Sequence, residues 1–426
     1  MTTTDTVVIG AGHAGLAVSR LLTEAGRDHV VLDRGQVGER WRSERWDSLH
    51  LLSPNWMTRL PHWRYTGGDS EGYMAAREFV GYLEAYAASY SAPVETGTTV
   101  LEVRADTVAG TGYRVATDRG TWNARHVVVA TGPWGRPRVP EGIEVATSQL
   151  HMTTASHYRN PDALPDGGVL VVGASSSGTQ IADELARAGR RVVLAVGNHT
   201  RMPRRYRGMD IFWWLEQTGR LARTIDDVSD PAAARREPSM QLVGNKEPAR
   251  RNEDLDLAAL QERGVTVTGR LGRLAGGRAW FGHNLAGSVA DADRRMHRFL
   301  DAVDEHVERT GLASELWDPE RPRPVHLESA PRALDLRSEG IGTVLLATGY
   351  RPHHPWLRLP ISAPDGAIRQ YRGVTPAHGL YVVGQRFQHR RDSGFIDGAR
   401  YDAEAVVSHL SAGRVPAAHP AETTNR

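Results

Sequence analysis

A glycine-punctuated turn between a short apolar strand and a helix occurs twice in this chain, and it limits the fold more than any other feature. In the first copy, residues 6–9 are apolar, Gly10-Ala11-Gly12-His13-Ala14-Gly15 forms the turn, and residues 16–25 carry helical spacing, with Val18, Leu21, Leu22 and Ala25 on one face. Gly26 ends that helix, and residues 29–32 form a second strand closed by Asp33. The second copy has a strand over 169–172, the turn Gly173-Ala174-Ser175-Ser176-Ser177-Gly178, a helix over 179–188 ended by Gly189, and a strand over 191–196. Two copies of this unit predict an α/β chain with two dinucleotide-binding, Rossmann-like domains.

The glycines have separate physical roles. Gly10 makes the tight turn, Gly12 lets a pyrophosphate approach the backbone, and Gly15 lets helix and strand pack closely. Free N–H groups at the helix start then face the phosphates. Asp33 stands about 20 residues on, where a carboxylate binds ribose hydroxyls, so the first site suits FAD or NAD. In the second copy Ser175 replaces the middle glycine, and Ala195 and Val196 stand where the acid would be. Arg201, Arg204, Arg205 and Arg207 follow. A carboxylate would repel a 2′-phosphate and guanidinium groups bind it through forked hydrogen bonds, so this site is expected to take NADPH on Gly173, Ser175, Ser176, Ser177 and Gly178, with Arg201, Arg204 and Arg205 on the phosphate. The alternative is a solvated basic loop, or a nucleic-acid patch formed with Tyr206, Phe212, Trp213 and Trp214. Trp213 and Trp214 are read either as a lid over the nicotinamide or as core.

The 426 residues suffice for two or three domains. Expected boundaries are 1–160 for the first part of an FAD domain, 161–340 for an NADPH domain with an insertion over about 203–330, and 341–426 for the second part of the FAD domain. Helices are expected at 72–90, 290–310 and 398–410, and strands near 98–104, 112–117, 125–130, 344–346 and 380–383, with 226–254 as loop. A net charge of +2 gives no reason to expect nucleic acid or a membrane as partner. Lys246 is the only lysine, a bias that GC-rich bacterial coding produces. The chain has no cysteine, which excludes disulfides, cysteine metal sites and thiolate catalysis. No metal-ligand spacing stands out among the histidines, and His151, His157 and His389 read as structural. Without a span-length apolar stretch or a basic leader, the expected location is cytoplasmic.

Three further stretches carry a resemblance: Val129-Ala130-Thr131-Gly132-Pro133-Trp134, Leu346-Ala347-Thr348-Gly349-Tyr350-Arg351-Pro352, and Gly379-Leu380-Tyr381-Val382-Val383-Gly384. With the two glycine turns, their order resembles the class B flavin monooxygenases, which include the flavin-containing and YUCCA-type enzymes, and the glutathione-reductase-like FAD/NAD(P) flavoprotein architecture. The stretches around Trp41 to Leu49 and Leu51 to Trp56 resemble bacterial single-chain relatives. The resemblance implies FAD contacts at Gly10, Gly12, Gly15, Asp33, Arg34, Trp41, Trp46, Val100, Ala130, Thr131, Gly132, Gly384, Ser393 and Phe395, and NADPH beside Thr348 and Gly349. Where these families carry a Phe-Gly-His fingerprint, this chain reads Ser148-Gln149-Leu150-His151. Near the family's active-site asparagine stand Leu52 and Ser53, with Asn55 displaced; Asn55, Trp46 and Asp47 are the candidates for a catalytic role.

The resemblance implies that NADPH reduces FAD, that molecular oxygen then gives a flavin C4a-(hydro)peroxide, and that one oxygen atom passes to a small molecule at nitrogen or sulfur or by a Baeyer–Villiger reaction. The competing readings are a flavin reductase or oxidase without oxygen insertion, and a non-catalytic flavin-bearing sensor. A monomer or a homodimer is expected.

Overall fold

The computed structural model describes residues 1–106, 112–143, 150–245, 247–325, 327 and 330–412; Ser148, Gln149 and Lys246 lie outside the described residues. In the first unit, β1 (Thr2–Ile9) and β2 (His29–Leu32) run parallel, joined by α1 (His13–Glu24). Val18 and Leu22 of the expected apolar face are fully buried, whereas Ala25 is exposed because the helix has already ended. Next come α2 (Ala76–Ser89), β3 (Val94–Glu95) and an antiparallel meander of β4 (Val100–Ala105), β5 (Tyr113–Thr117) and β6 (Gly120–Val129). β6 returns to the sheet centre beside β1, in parallel, giving the order β3-β2-β1-β6-β5-β4.

The second unit contains β7 (His151–Thr154), β8 (Gly168–Val172), α3 (Ser176–Arg187) and β9 (Val192–Ala195). An insertion follows, with α4 (Ile211–Gln217), α5 (Pro231–Arg236), β10 (Thr266–Thr268), β11 (Leu271–Ala275), β12 (Arg278–Phe281), α6 (Leu285–Thr310) and β13 (Ala333–Asp335), before β14 (Ile341–Leu346). Five strands form a parallel sheet in the order β7-β14-β8-β9-β10. Helices and insertion cover both its faces, so β8 and β9 are buried throughout and read as unbroken Val/Leu runs. Both β7 and β14 belong to this sheet, so the second unit starts before residue 161 and extends past 340. The prolines that suggested the boundaries mark turns, while sheet membership follows hydrogen-bond partners.

The chain then returns. β15 (Leu380–Val382) pairs in parallel with β6, and α7 (Ala399–Ala412) packs on α1, with Ala403 and Val406 in one core cluster with Ala14 and Val18. On the crossing segments, Tyr350–Arg351 pairs antiparallel with Arg136–Pro137. The long α6 collects Tyr206, Ile211, Phe212 and Trp214 around Met296, Phe299 and Val303. Trp214 is fully buried and donates its indole N–H to the Tyr206 carbonyl at 2.7 Å, so it is core with Tyr206 and Phe212, while Trp213 packs half-buried against the same cluster. No helix among the described residues is long and apolar enough to cross a membrane.

Candidate cofactor cleft

Each glycine turn has the same geometry. Gly10 has φ +110°, and a Cβ there would lie 2.7 Å from the Ala130 carbonyl oxygen. A Cβ on Gly15 would lie 1.9 Å from the Gly10 carbonyl oxygen, so helix and turn touch backbone to backbone. Gly12 differs, because a Cβ there meets nothing within 4 Å. The second turn repeats the pattern: Gly173 has φ +107° with Ala347 behind it, and a Cβ on Gly178 would lie 1.8 Å from the Gly173 carbonyl oxygen. Neither α1 nor α3 has a side-chain cap or an acid in its first turn, which leaves the first N–H groups of both helices free for an anion.

Asp33 sits where the sequence placed it. Its carboxylate accepts the Ala11 N–H at 2.7 Å and the Gly35 N–H at 2.9 Å, which fixes it against the turn with lone pairs left for hydroxyl donors. Strand β4 approaches the same point, since Thr98 N–H donates to the Asp33 carbonyl at 2.7 Å just ahead of Val100. Ala130 N–H donates to the Ile9 carbonyl at 2.9 Å, which brings Thr131 and Gly132 beside the turn. Gly384 lies against Ala14, where an added Cβ would be 3.0 Å from the Ala14 Cβ. Trp41 stands edge-on to Phe79 at 4.9 Å under the Arg45 guanidinium, and Arg34 forms an ion pair with Glu44.

Several expected ligands face elsewhere. Trp46 is buried in the core cluster of the second unit, with Leu49 and Tyr158. Asp47 donates its N–H to Arg159 and accepts from Asn160 at 2.6 Å, which is a structural role. Asn55 is buried; its amide nitrogen donates to the Asp69 carbonyl at 2.9 Å and its buried Oδ1 has no hydrogen-bond partner. The Ser393 hydroxyl accepts the Arg390 N–H at 2.9 Å and donates to Asp402 at 3.1 Å, while Phe395 meets Phe212 at 5.9 Å. His13, to which the sequence gave no role, has Nε2 buried without a partner, and burial lowers its imidazole to about 4. Its position inside the first turn was the available signal.

Asp402 is held by burial as a weak acid titrating at about 7; the Ser393 hydrogen bond opposes the shift and Asp392 adds to it. The folded state therefore binds a proton that the unfolded chain has released. Stability contributed at this carboxyl is present at low pH and lost as pH rises from the ordinary aspartate range to about 7, at up to about 1.4 kcal/mol per pH unit. Asp402→Asn is expected to flatten that part of the stability-against-pH curve in chemical denaturation, and an unchanged slope contradicts this assignment.

The arginine expectation needs correcting. Arg201 is buried, paired with Asp256 at 2.7 Å and Asp293 at 2.8 Å. Arg204 is fully buried, with both Asp210 oxygens at 2.6 Å, the Leu52 carbonyl at 3.0 Å and the Tyr73 ring beneath it. Arg205 turns to the Gly208 carbonyl at 3.0 Å, and Arg207 pairs with Asp304. The cause is the chain path: Thr200–Arg201 pairs with Met240–Gln241, which turns the following residues under the insertion, where distant acids meet them. The guanidinium beside the end of β9 is Arg270, which donates to Asn198 at 3.4 Å and lies 3.3 Å from where a Gly197 Cβ would be.

Gly173, Ser175 and Ser177 open on a cleft of about 2200 Å³ that also takes in Pro133, Trp134, Thr348, Gly349, Arg270, Gln385 and Arg386. It therefore runs from the second glycine turn to the loop after β15 in the first unit. Ser176 lies within the helix start, where its hydroxyl accepts from Gln180 at 2.9 Å.

The family model for pyridine nucleotide-disulphide oxidoreductases matches residues 7–210. The chain is 31% identical over 427 residues to indole-3-pyruvate monooxygenase YUCCA4 of Oryza sativa subsp. japonica, covering 95% of this chain and 87% of that one. It is 28% identical over 409 residues to an uncharacterized CzcO-like oxidoreductase of Geobacillus kaustophilus, covering 95% and 98%. The fold is similar to the flavin-containing monooxygenase from Stenotrophomonas maltophilia, with a TM-score of 0.65, 20% identity and coverage of 97% and 99%. It is also similar to an oxidized steroid monooxygenase bound to NADP, with a TM-score of 0.53, 17% identity and coverage of 96% and 86%.

Proposed function

Because the chain belongs to the class B flavin-dependent monooxygenases, an oxidoreductase family that uses FAD and NADPH, we propose that it places one atom of molecular oxygen on a small molecule at nitrogen or sulfur, or by Baeyer–Villiger insertion beside a carbonyl. The observation that carries this reading is the pair of matching glycine turns, each with a bare helix start, with a continuous cleft leading from the second turn to the flavin half. When bound, NADPH supplies a hydride and FAD passes its electrons to oxygen.

The chain's own residues position and enclose. Gly10, Gly12 and Gly15 with the α1 N–H groups would hold the FAD pyrophosphate, and Asp33 its ribose. Arg34, Trp41, Val100, Ala130, Thr131, Gly132 and Gly384 would line the rest of that site. The open space at Gly12 fits this assignment. Gly173, Ser175, Ser177, Gly178, Thr348 and Gly349 would hold NADPH. The absence of cysteine leaves no disulfide-reducing variant of the reaction.

We assign the 2′-phosphate to Arg270, in place of Arg201, Arg204 and Arg205. Arg270→Ala is expected to raise KM for NADPH by about tenfold or more and leave KM for NADH nearly unchanged, since a charge-assisted hydrogen bond contributes about 1.5–3 kcal/mol. Equal effects on both coenzymes would remove the assignment.

The reaction itself is tested with isotopically labelled oxygen and a panel of sulfides, amines and ketones. The proposal expects label in the organic product in step with NADPH consumed. Recovery of all the label as hydrogen peroxide with every compound would instead make the protein an oxidase.

A further inference from the structure

In both glycine turns the carbonyl just before the middle position is held from behind. In the first turn the Gly38 N–H donates to the Ala11 carbonyl at 3.0 Å. In the second turn the donor is a side chain: Gln241 Nε2 donates to the Ala174 carbonyl at 2.7 Å. A trans peptide points its N–H away from its C=O, so fixing the Ala174 oxygen also fixes the direction of the Ser175 N–H. Ser175 stands at the middle position of the turn, where a pyrophosphate meets the backbone, and it lines the cleft. Gln241 is fully buried and its Oε1 has no partner, so the Ala174 bond orients the amide.

Gln241 belongs to the insertion, on the two-residue strand that pairs with Thr200–Arg201. The next residue, Leu242, is fully buried, and its carbonyl accepts Gln180 Nε2 from α3 at 3.0 Å. The same amide donates to the Ser176 hydroxyl at 2.9 Å. Two glutamines therefore clamp residues 241 and 242 onto the start of the coenzyme helix. Two residues on, Gly244 has no room for a side chain: a Cβ would collide with the Leu51 carbonyl oxygen and lie 3.1 Å from the Tyr73 Cβ. Leu51 opens the 51–57 loop of the first unit, which holds Asn55. The Leu51, Asn55 and Trp56 N–H groups tie that loop to the carbonyls of Met74, Gly72 and Ser70 at 2.8, 2.8 and 2.9 Å. Residues 241–244 thus touch the coenzyme turn at one end and this loop at the other. Four residues span at most about 14 Å, and close-packed contacts at both ends transmit a displacement.

Building on the placement of NADPH at the Gly173–Gly178 turn, we propose that Gln241 is a positioning residue: it sets the Ser175 N–H for the coenzyme pyrophosphate and, through residues 241–244, passes coenzyme occupancy to the 51–57 loop. The loop tightens when the coenzyme is in place.

The test is amide hydrogen exchange on the FAD-loaded protein, with and without NADP⁺ at a concentration that calorimetry shows to be saturating. NADP⁺ is expected to slow exchange at residues 174–178, and to slow it about fivefold or more at residues 51–57. Gln241→Met keeps the side-chain length and removes the donor. At saturating NADP⁺ it should keep the slowing at 174–178 and lose it at 51–57, and its NADP⁺ affinity should fall about fivefold. Gln180→Met gives a second variant with the same expected loss at 51–57, and melting curves show that each variant is folded. Slowing at 174–178 with no change at 51–57 in the unsubstituted protein overturns the relay and leaves the coenzyme placement standing. A full response at 51–57 in folded Gln241→Met also overturns it, because the nucleotide would then reach that loop directly. Saturating NADP⁺ without slowing at 174–178 removes the coenzyme placement itself, and the relay with it.

Discussion

Arg204→Ala should destabilise the protein by about 3–5 kcal/mol and leave coenzyme preference untouched. The guanidinium is fully buried and holds both oxygens of Asp210, the Leu52 carbonyl and the face of Tyr73. Removing it leaves a buried carboxylate that also caps α4 through the Phe212 N–H at 2.8 Å and accepts the Tyr73 hydroxyl at 2.8 Å. Three segments, the loop at Leu52, the chain at Tyr73 and the start of α4, lose their shared anchor together. Arg204→Lys keeps the charge but loses the fork, and should fall between the two. Chemical denaturation and the ratio of KM for NADPH to KM for NADH decide the matter. A variant with normal stability and a selectively raised KM for NADPH would return Arg204 to the nucleotide.

The second large effect separates two glycines three residues apart. Gly12→Val should fold normally, because Gly12 has extended backbone and its Cβ direction is empty, yet lose FAD affinity by about tenfold to hundredfold as the new side chain takes pyrophosphate space. Gly15→Ala should instead be a folding defect of about 3 kcal/mol, since its Cβ would collide with the Gly10 carbonyl. Flavin absorbance after purification and thermal melting of the apoprotein distinguish the two. A Gly12→Val protein that keeps its flavin would refute the cofactor placement.

These contrasts show which parts of the molecule were legible in the sequence. The glycine turns, their helices and Asp33 were readable because each depends on neighbours close in the chain: a positive φ, a backbone contact, a hydrogen bond from Ala11. The arginines after β9 were misread because their directions are set by Asp256, Asp293, Asp210 and Asp304, three of which lie far along the chain. Their nearness to a strand end carried no information about which way they turn. Arg270 was invisible for the converse reason, since it reaches Asn198 from the turn between β10 and β11. Trp46 looked like a cofactor contact next to Trp41; in the structure both pack on the second core, Trp46 buried in it and Trp41 half-buried against it.

The paired crossing of Arg136–Pro137 with Tyr350–Arg351 has a mechanical meaning. The backbone passes from the first unit to the second here and returns beside itself, bonded to itself. A two-stranded ribbon bends readily out of its plane and resists shear within it. A swing of one unit on the other would bend the chain at this ribbon. The Gly132 and Gly349 turns, both with positive φ, stand at its two ends as the points where such bending would be absorbed.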